Sequence, residues 1–254
     1  MKVLLGAPNA RWLHMFSAGL DNPVFAVLRE RGLTVTHSAG SSATPIAHTV
    51  IMQVIALCRG ARAFAIGQSR HEWLDQEVDD VEGRRMGVVG LGGIGSEVAR
   101  LAAHFGIEVI GLRRTPRGDE PCVTWEASRL HELLPTLDDL VLTAPLNDDT
   151  RNIIGATELA LLPRGAHVIN VGRGELIDEP ALVDALMSGH IGGAALDVFV
   201  TEPLPTEHPL WDLPNVIVTP HSSGATALAA ERAAAVFHDN LDRWIHGRPL
   251  RNVG

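Results

Sequence analysis

The sequence predicts an α/β fold, in which a doubly wound parallel sheet is joined to a second, smaller lobe. Three observations support this prediction. Short apolar runs alternate with helical periodicity from residue 86 onward, and a glycine-rich turn at 90–95 follows the first run. Polar motifs then follow three later runs, at 170–174, 197–203 and 219–221. Continuous apolar strands that alternate with helices are typical of a parallel sheet covered on both faces.

Bulk composition narrows the classes of protein to which the chain can belong. Its 254 residues are 46% hydrophobic and 20% charged, a balance typical of a globular fold. The formal net charge of −9 argues against nucleic-acid and anionic-membrane partners, because both need positive surface charge. The longest apolar run, at 50–58, is too short to cross a bilayer, and the N-terminus lacks the apolar length of a signal peptide. We therefore expect a soluble, cytoplasmic protein.

The two cysteines, Cys58 and Cys122, lie far apart in the sequence. They show neither a disulfide framework nor the close spacing of a thiolate metal site. No metal site is predicted, and a reducing compartment fits this pattern.

Secondary structure is predicted from the spacing of apolar residues. A long helix begins at Thr44-Pro45, where threonine can cap the helix and proline suits its first turn, and apolar residues recur at i, i+4 up to Cys58. Strands are predicted at Met86–Gly90, Glu108–Leu112, Leu140–Ala144, His167–Val171, Ala194–Phe199 and Val216–Thr219. Helices are predicted at Gly95–Phe105, Arg129–Leu134, Thr157–Leu162 and Pro180–Met187, with a last long helix over Ala225–Trp244.

The glycine-rich turn predicts where a dinucleotide would bind. Gly90 permits a tight turn, Gly92 lets the backbone approach a pyrophosphate, and Gly95 lets the following helix pack on the strand. The helix N-terminus then presents unsatisfied N–H groups and the positive end of its dipole to the phosphates. Because a strand precedes the turn and a helix follows it, this context favours dinucleotide binding over a purely structural turn.

Two arginines after the second predicted strand bear on which dinucleotide is bound. An NAD-binding chain usually carries an acid there for the ribose 2′-hydroxyl, whereas this chain has Arg113 and Arg114. An arginine pair attracts a 2′-phosphate through charge-assisted hydrogen bonds, so NADP (NADPH) is favoured and NAD remains possible. The alternative is an ordinary solvated basic loop.

Three polar residues near strand ends indicate chemistry on a 2-oxo acid. Arg173, between two glycines, can bind a carboxylate and the neighbouring carbonyl oxygen. His221 can donate a proton to that oxygen and take it back in the reverse direction. Glu202, placed near His221, would stabilise the protonated ring. Taken singly, Arg173 could be a surface turn residue and His221 a structural histidine.

The order of these motifs resembles that of the D-isomer-specific 2-hydroxyacid dehydrogenases, over about residues 7–253. The resemblance implies a Rossmann-like domain with a flavodoxin-like second lobe, and catalytic roles for Arg173, Glu202 and His221. It implies cofactor contacts at Gly90, Gly92, Gly93, Ile94, Gly95, Arg113, Arg114, Thr143, Ala144, Pro145, Val171, Gly172, Arg173, Asp197, His221 and Ser223. It implies substrate contacts at Ala18, Gly19, Arg173 and His221, where the small Ala18-Gly19 pair would let backbone N–H groups reach a carboxylate.

The resemblance also implies a domain division. Residues 43–221 would form the dinucleotide-binding domain, and residues 1–42 with 222–254 the substrate-binding lobe. That lobe is shorter than is usual in the family, so we expect either a continuation upstream of Met1 or a natural short form. The helix over Pro45–Arg59 corresponds to one that packs across a two-fold interface, which predicts a homodimer.

The sequence therefore predicts an oxidoreductase that transfers a hydride between NAD(P)H and a small 2-oxo or D-2-hydroxy acid. Glyoxylate and hydroxypyruvate represent the substrate class. Two alternatives on the same fold stay open: a dinucleotide-sensing binding protein without catalysis, and an inactive, truncated relative. Turnover over a panel of 2-oxo acids distinguishes the enzyme from both.

Overall fold

A computed structural model describes residues 7, 9–17, 19–20 and 22–254. The chain divides into two compact units, one formed by Met1–Ala43 with Gly224–Gly254 and the other by Thr44–Ser223. The assignment of the first unit to substrate binding and of the second to dinucleotide binding stays a prediction.

Both units are built from helices and parallel strands. The strands are β1 (Trp12–Met15), β2 (Thr34–His37), β3 (Arg85–Val89), β4 (Glu108–Arg113), β5 (Val123–Glu126), β6 (Asp139–Leu142), β7 (His167–Asn170), β8 (Gly193–Leu196) and β9 (Val216–Val218). The α-helices are α1 (Val24–Glu30), α2 (Ala43–Cys58), α3 (Ala61–Arg70), α4 (Gly93–Ala103), α5 (Leu130–Leu133), α6 (Ala156–Leu161), α7 (Glu179–Met187) and α8 (Ala229–Ile245). Within the described residues, no single helix is both long and apolar enough to span a membrane; only α2 and α3 together, across a 65° bend, meet that test.

The larger unit holds a seven-stranded parallel sheet, which confirms the predicted fold class. Its strands lie in the order β5-β4-β3-β6-β7-β8-β9. The chain therefore runs outward from β3 in one direction and then outward from β6 in the other. Such a reversal places a crevice at the carboxyl ends of the strands, where ligands bind in open α/β sheets.

Side chains of this sheet alternate between two hydrophobic clusters, one on each face. On β6, Leu140 and Leu142 belong to one cluster and Val141 to the other. The first cluster takes in residues of α5, α6 and α7, and the second takes in residues of α2 and α4. Because both faces are covered, the strands read as continuous apolar runs in the sequence.

The smaller unit pairs β1 with β2 in parallel. Helix α1 buries Phe25 and Leu28 beside Val35 of β2. Helix α8 lays Phe237 and Trp244 against the ring of Trp12, with stacked ring centroids 5.7 and 5.6 Å apart. These stacks hold the last long helix of the chain to the β1–β2 pair.

The structure corrects several local predictions. Helix α2 begins at Ala43, so Thr44 lies inside it and its hydroxyl donates to Glu97 instead of capping the helix. The final helix begins at Ala229 rather than Ala225, and the segment predicted as one helix over Arg129–Leu134 is a short α-helix between two 3-10 turns. Among the predicted elements there is no counterpart for α1, α3, β1, β2 or β5. Strand β5 shows no apolar run, because its apolar residues Val123 and Trp125 alternate with the polar residues Thr124 and Glu126.

Candidate functional site

The carboxyl edge of the large sheet gathers most of the predicted site residues. Reading across the sheet, the ends of β4, β3, β6, β7, β8 and β9 lead in turn to Arg113, the glycine-rich turn, Thr143–Pro145, Arg173, Glu202 and His221. Arg113 and the glycine-rich turn therefore lie toward one side of the edge, and the dinucleotide contacts predicted at Val171–Arg173, Asp197, His221 and Ser223 continue along it. The three predicted catalytic residues follow three adjacent strands.

The glycine-rich turn joins β3 to α4, and two of its three key glycines, Gly90 and Gly95, have a steric reason to be there. Gly90 has φ +100°, and a Cβ on it would lie 2.6 Å from the backbone nitrogen of Ala144. A Cβ on Gly95 would collide with the carbonyl oxygen of Gly90, so the helix could not pack so closely. A Cβ on Gly92 would project into open space, where a phosphate could approach. The turn thus leaves the N-terminus of α4 accessible to an anion.

The segment after β6 supports this turn. The hydroxyl of Thr143 donates to the carbonyl oxygen of Gly90 at 2.6 Å, and its backbone N–H donates to Val89 at 2.9 Å. Ala144 is buried against the turn, whereas Pro145 is exposed. Thr143 therefore braces the glycine-rich turn as well as lying beside it.

The arginines after β4 are not equivalent. Arg113 forms an ion pair with Glu120, with Nη1 2.9 Å from Oε1, and its side chain is 19% exposed. Arg114 is exposed, and within the described part of the chain its guanidinium has neither an ion-pair nor a hydrogen-bond partner. The sequence predicts that the two arginines meet the 2′-phosphate as a pair. In the structure Arg113 is ion-paired with Glu120, whereas the guanidinium of Arg114 has no partner among the described residues.

Arg173 is carried by a turn that the preceding asparagine closes. The side chain of Asn170 donates to the carbonyl oxygen of Arg173 at 2.8 Å and accepts from the N–H of Gly172 at 3.0 Å. The guanidinium of Arg173 donates to the carbonyl oxygen of Gly172 at 2.7 Å, and the side chain is partly exposed. Asn170 is 1% exposed and supports this turn, a role that the local sequence pattern does not indicate.

His221 and Glu202 meet directly, although 18 residues separate them in the chain. The ring nitrogen Nδ1 of His221 lies 2.8 Å from Oε2 of Glu202, while Oε1 of Glu202 accepts from the N–H of Phe199 at 3.0 Å. Because an ionised carboxylate only accepts, Nδ1 carries the hydrogen and donates it. Within the described residues, the other ring nitrogen, Nε2, has no hydrogen-bond partner. The pair is well exposed, with 51% of the His221 side chain and 37% of the Glu202 side chain accessible.

Asp197 fixes the backbone that carries His221. Its buried carboxylate accepts from the hydroxyl of Thr219 at 2.6 Å and from the backbone N–H groups of Ser222 and Ser223 at 3.0 to 3.2 Å. Its carbonyl oxygen accepts from the N–H of His221 at 2.8 Å. These bonds hold His221 at φ +50°, a conformation that is uncommon for a residue other than glycine. The burial of Asp197 favours this positioning role over the predicted direct contact with cofactor.

The remaining predicted site residues are placed as follows. Gly93 is exposed at the start of α4 and Ile94 is half-buried beside it. Val171 and Ser223 are buried, and a Cβ on Gly172 would lie 2.7 Å from Leu176. Gly19 is half-buried in the smaller unit, and Ala18 lies outside the described residues.

One group of potential metal ligands lies within the described residues, at the opposite edge of the sheet. Side-chain atoms of Cys58, Asp139 and His167 approach within 4.8 Å of one another. Both oxygens of Asp139 already accept from Arg84, at 2.8 and 3.0 Å. A guanidinium therefore occupies the position beside Asp139 that a cation would need.

Comparison with known proteins gives a consistent family. The family model described as D-isomer specific 2-hydroxyacid dehydrogenase, NAD binding domain, matches residues 51–223. Glyoxylate/hydroxypyruvate reductase B of Pectobacterium carotovorum is 36% identical, over 97% of this chain and 79% of the relative.

Solved structures agree with the sequence relatives. A D-isomer specific 2-hydroxyacid dehydrogenase from Xanthobacter autotrophicus, in complex with NADPH and MES, is similar with a TM-score of 0.86 and 35% identity, over 97% of this chain and 78% of that one. An NADPH-dependent glyoxylate/hydroxypyruvate reductase from Sinorhizobium meliloti, in complex with NADP and sulfate, is similar with a TM-score of 0.86 and 33% identity, over 97% and 79% of the two chains.

Proposed function

The chain belongs to the D-isomer-specific 2-hydroxyacid dehydrogenase family, and from that premise we propose that it reduces a small 2-oxo acid to the D-2-hydroxy acid with NADPH. The observation that carries the proposal is the hydrogen bond of 2.8 Å between His221 and Glu202, which leaves Nε2 of His221 open. An oriented imidazole with one open nitrogen is what proton transfer to a carbonyl oxygen requires.

The residues of the larger unit fit a dinucleotide. Gly92 leaves open space beside the N-terminus of α4, which supplies N–H donors for a pyrophosphate. When bound there, a reduced nicotinamide cofactor supplies the hydride that adds to the carbonyl carbon. The preference for NADPH is supported by the exposed guanidinium of Arg114 and by the NADP and NADPH complexes of two similar structures.

The chain's own residues supply the remaining groups. Arg173 follows β7 and would bind the substrate carboxylate and neighbouring oxygen through paired N–H groups. His221 would donate the proton from Nε2 to the carbonyl oxygen as the hydride adds, giving a hydroxyl group and a neutral ring. The carboxylate of Glu202 lies 2.8 Å from Nδ1 of this ring and faces the positive charge that the ring carries before it donates the proton. Asp197 keeps the backbone of His221 in place.

The direct test is a turnover assay of the purified protein with NADPH and with NADH, over a panel that includes glyoxylate, hydroxypyruvate and larger 2-oxo acids. We expect turnover with the two short acids and a higher kcat/KM with NADPH. Tight binding of NADPH with no turnover on any acid would contradict the enzymatic proposal and would favour a dinucleotide-binding role.

A homodimer is part of the proposal. In the larger unit, Met52 on α2, Phe64 on α3, and Trp73 and Leu74 just after α3 are exposed apolar side chains, and that of Trp73 is 95% exposed. These four side chains fall within residues 52–74, and several large apolar side chains left exposed in one segment favour an association surface. Ile51 is buried in the chain's own core, so it is not part of this surface.

Light scattering of the Met52→Lys, Trp73→Ser double variant tests the dimer. We expect the unmodified chain to be dimeric and the variant to be monomeric with its helical content retained. A monomeric unmodified chain would contradict the proposal.

We also propose that the protein is cytoplasmic, which its two free cysteines support.

A further inference from the structure

The loop from Arg113 to Glu120 is fastened by one carboxylate. Oε1 of Glu120 accepts from Nη1 of Arg113 at 2.9 Å and from the backbone N–H of Arg117 at 2.7 Å. Oε2 accepts from the N–H of Gly118 at 2.8 Å. Gly118 has φ +86°, which lets the chain turn back toward the carboxylate. Three separate points of the loop are thus bonded to one side chain.

This carboxylate is shielded, although the loop around it is on the surface. The side chain of Glu120 is 4% exposed, whereas Arg114, Arg117 and Asp119 are exposed. The N–H of Arg117 has the largest effect on the acid and outweighs its desolvation; with the N–H of Gly118 and the guanidinium of Arg113, it lowers the pKa of Glu120 to about 2. Glu120 is therefore ionised throughout the neutral range.

The bonds of Glu120 leave the three arginines of this loop in different states of pairing. Arg113 is committed to Glu120, so its charge is largely balanced. The side chains of Arg114 and Arg117 have no ion-pair or hydrogen-bond partner in the described part of the chain, and Arg117 is held by its backbone. The open cations thus flank a fixed turn that directly follows β4, the strand next to the glycine-rich turn.

We infer that Glu120 is a positioning residue for cofactor specificity: by fastening the loop, it holds Arg114 and Arg117 where they meet the 2′-phosphate of NADPH. This inference rests on the proposed use of NADPH. Glu120 does not touch the phosphate itself, and its effect is to reduce the ordering that the loop must undergo on binding. It should act on NADP binding and leave NAD binding unchanged.

The experiment is calorimetric binding of NADP⁺ and of NAD⁺ to the full chain. We expect Glu120→Ala to weaken NADP⁺ binding about tenfold, as the loss of one or two hydrogen-bond contributions predicts, and to leave the Kd for NAD⁺ unchanged. Glu120→Gln keeps the shape of the acceptor, so its Kd for NADP⁺ should lie between that of the unmodified chain and that of Glu120→Ala. Asp119→Ala removes the neighbouring exposed acid and is the matched control, for which we expect no change.

A combined variant separates positioning from a general loss of structure. In a background with Arg114→Ala and Arg117→Ala, Glu120→Ala should have little further effect on NADP⁺ binding, because both side chains that it positions are absent. Equal weakening of NADP⁺ and NAD⁺ binding by Glu120→Ala would overturn the inference, as would tighter NADP⁺ binding. If the unmodified chain binds both cofactors equally, the proposed NADPH preference fails. If it prefers NADP⁺ and Glu120→Ala keeps that ratio, only the role of Glu120 fails.

Discussion

The two edges of the seven-stranded sheet carry the same kinds of side chain and use them in opposite ways. At the amino edge, Arg84 and His167 both bond to Asp139, at 2.8 and 3.1 Å, and the three side chains are 11%, 8% and 0% exposed. At the carboxyl edge, His221 and Glu202 are bonded to each other and are far more exposed. The residue types alone therefore do not distinguish a structural cluster from a reactive one.

The difference lies in which atoms are left over. A buried charge is tolerated only when it is paired and hydrogen-bonded, and at the amino edge both oxygens of Asp139 are occupied. At the carboxyl edge one ring nitrogen of His221 is bonded, and no residue that the structure describes bonds to the other. The first arrangement stabilises the fold, and the second leaves an atom for substrate.

The largest effect on activity is expected from a change at His221. His221→Asn keeps a residue that tolerates positive φ but removes the proton donor, so kcat should fall by roughly 10² to 10⁴. Because the side chain is half exposed, the free energy of unfolding should change by less than about 1 kcal/mol. Steady-state kinetics and chemical denaturation measure the two effects.

His131 offers a matched control for this change. It also bonds a carboxylate, with Nε2 2.8 Å from Glu158, but it lies on α5 and not after a strand of the carboxyl edge. His131→Asn should leave kcat unchanged. Normal turnover in the His221 variant would remove His221 from the mechanism.

At the amino edge, the largest effect should be on stability. Asp139→Asn removes the buried counter-charge of the shielded Arg84 guanidinium, which then keeps only the exposed carboxylate of Asp79 at 4.0 Å, and this should lower the free energy of unfolding by about 3 kcal/mol. The Kd for NADPH should not change. Denaturant unfolding, with cofactor binding measured on the same preparation, tests both statements.

A change in an exposed ion pair shows whether burial is the cause of the loss of stability expected at Asp139. Arg129 and Glu132 lie 2.6 Å apart, but both are well exposed. Glu132→Gln should lower the free energy of unfolding by no more than about 1 kcal/mol. If Asp139→Asn lowers the free energy of unfolding as little as Glu132→Gln does, the buried amino-edge cluster does not stabilise the fold more than an exposed ion pair.

The sequence revealed one edge far better than the other, for a physical reason. Arg173 and His221 stand directly after apolar runs, between residues that favour turns, so each is visible as a polar residue at a strand end. Asp139 precedes an apolar run, and a charged residue there is read as part of the loop, although the structure makes it the buried first residue of β6. Its partner Arg84 lies 55 positions earlier, and nothing in the local pattern relates the two.

The loop after β4 shows the same limit. Arg113 and Arg114 are adjacent in sequence and were predicted to act alike, but the strand ends at Arg113 and the loop brings Glu120 back to it. The outcome depends on the path of the loop and on Gly118, which the spacing of charges does not encode. The alternation of β3, β4 and β6 to β9 with helices was predictable because it follows from apolar periodicity, whereas β1, β2, β5, α1 and α3 were not predicted.

Glu202→Gln tests the carboxyl edge more gently. The glutamine can still accept from Nδ1 of His221 and so keeps the ring oriented, but it lacks the negative charge that faces the protonated ring. Because the pair is exposed and partly screened, kcat for reduction should fall only about tenfold. A fall as large as that of His221→Asn would mean that Glu202 does more than balance charge and orient the ring.

The smallest effect that we predict is the pH dependence of stability at the amino edge. Burial raises the pKa of Asp139, but the hydrogen bond from His167, the hydrogen bond from Arg84 and the guanidinium charge outweigh it, so the pKa lies below its ordinary value. A carboxyl group whose pKa is lowered by folding adds stability above its unfolded pKa of about 3.9, and that stability is lost as the pH falls through the folded pKa. Each unit between the two pKa values is worth about 1.4 kcal/mol. The difference in free energy of unfolding between the unmodified chain and Asp139→Asn should therefore be constant from pH 7 to about 5 and shrink at lower pH. A gap that widens on acidification would mean that Asp139 is protonated in the folded protein, and that the edge is held by neutral hydrogen bonds and not by an ion pair.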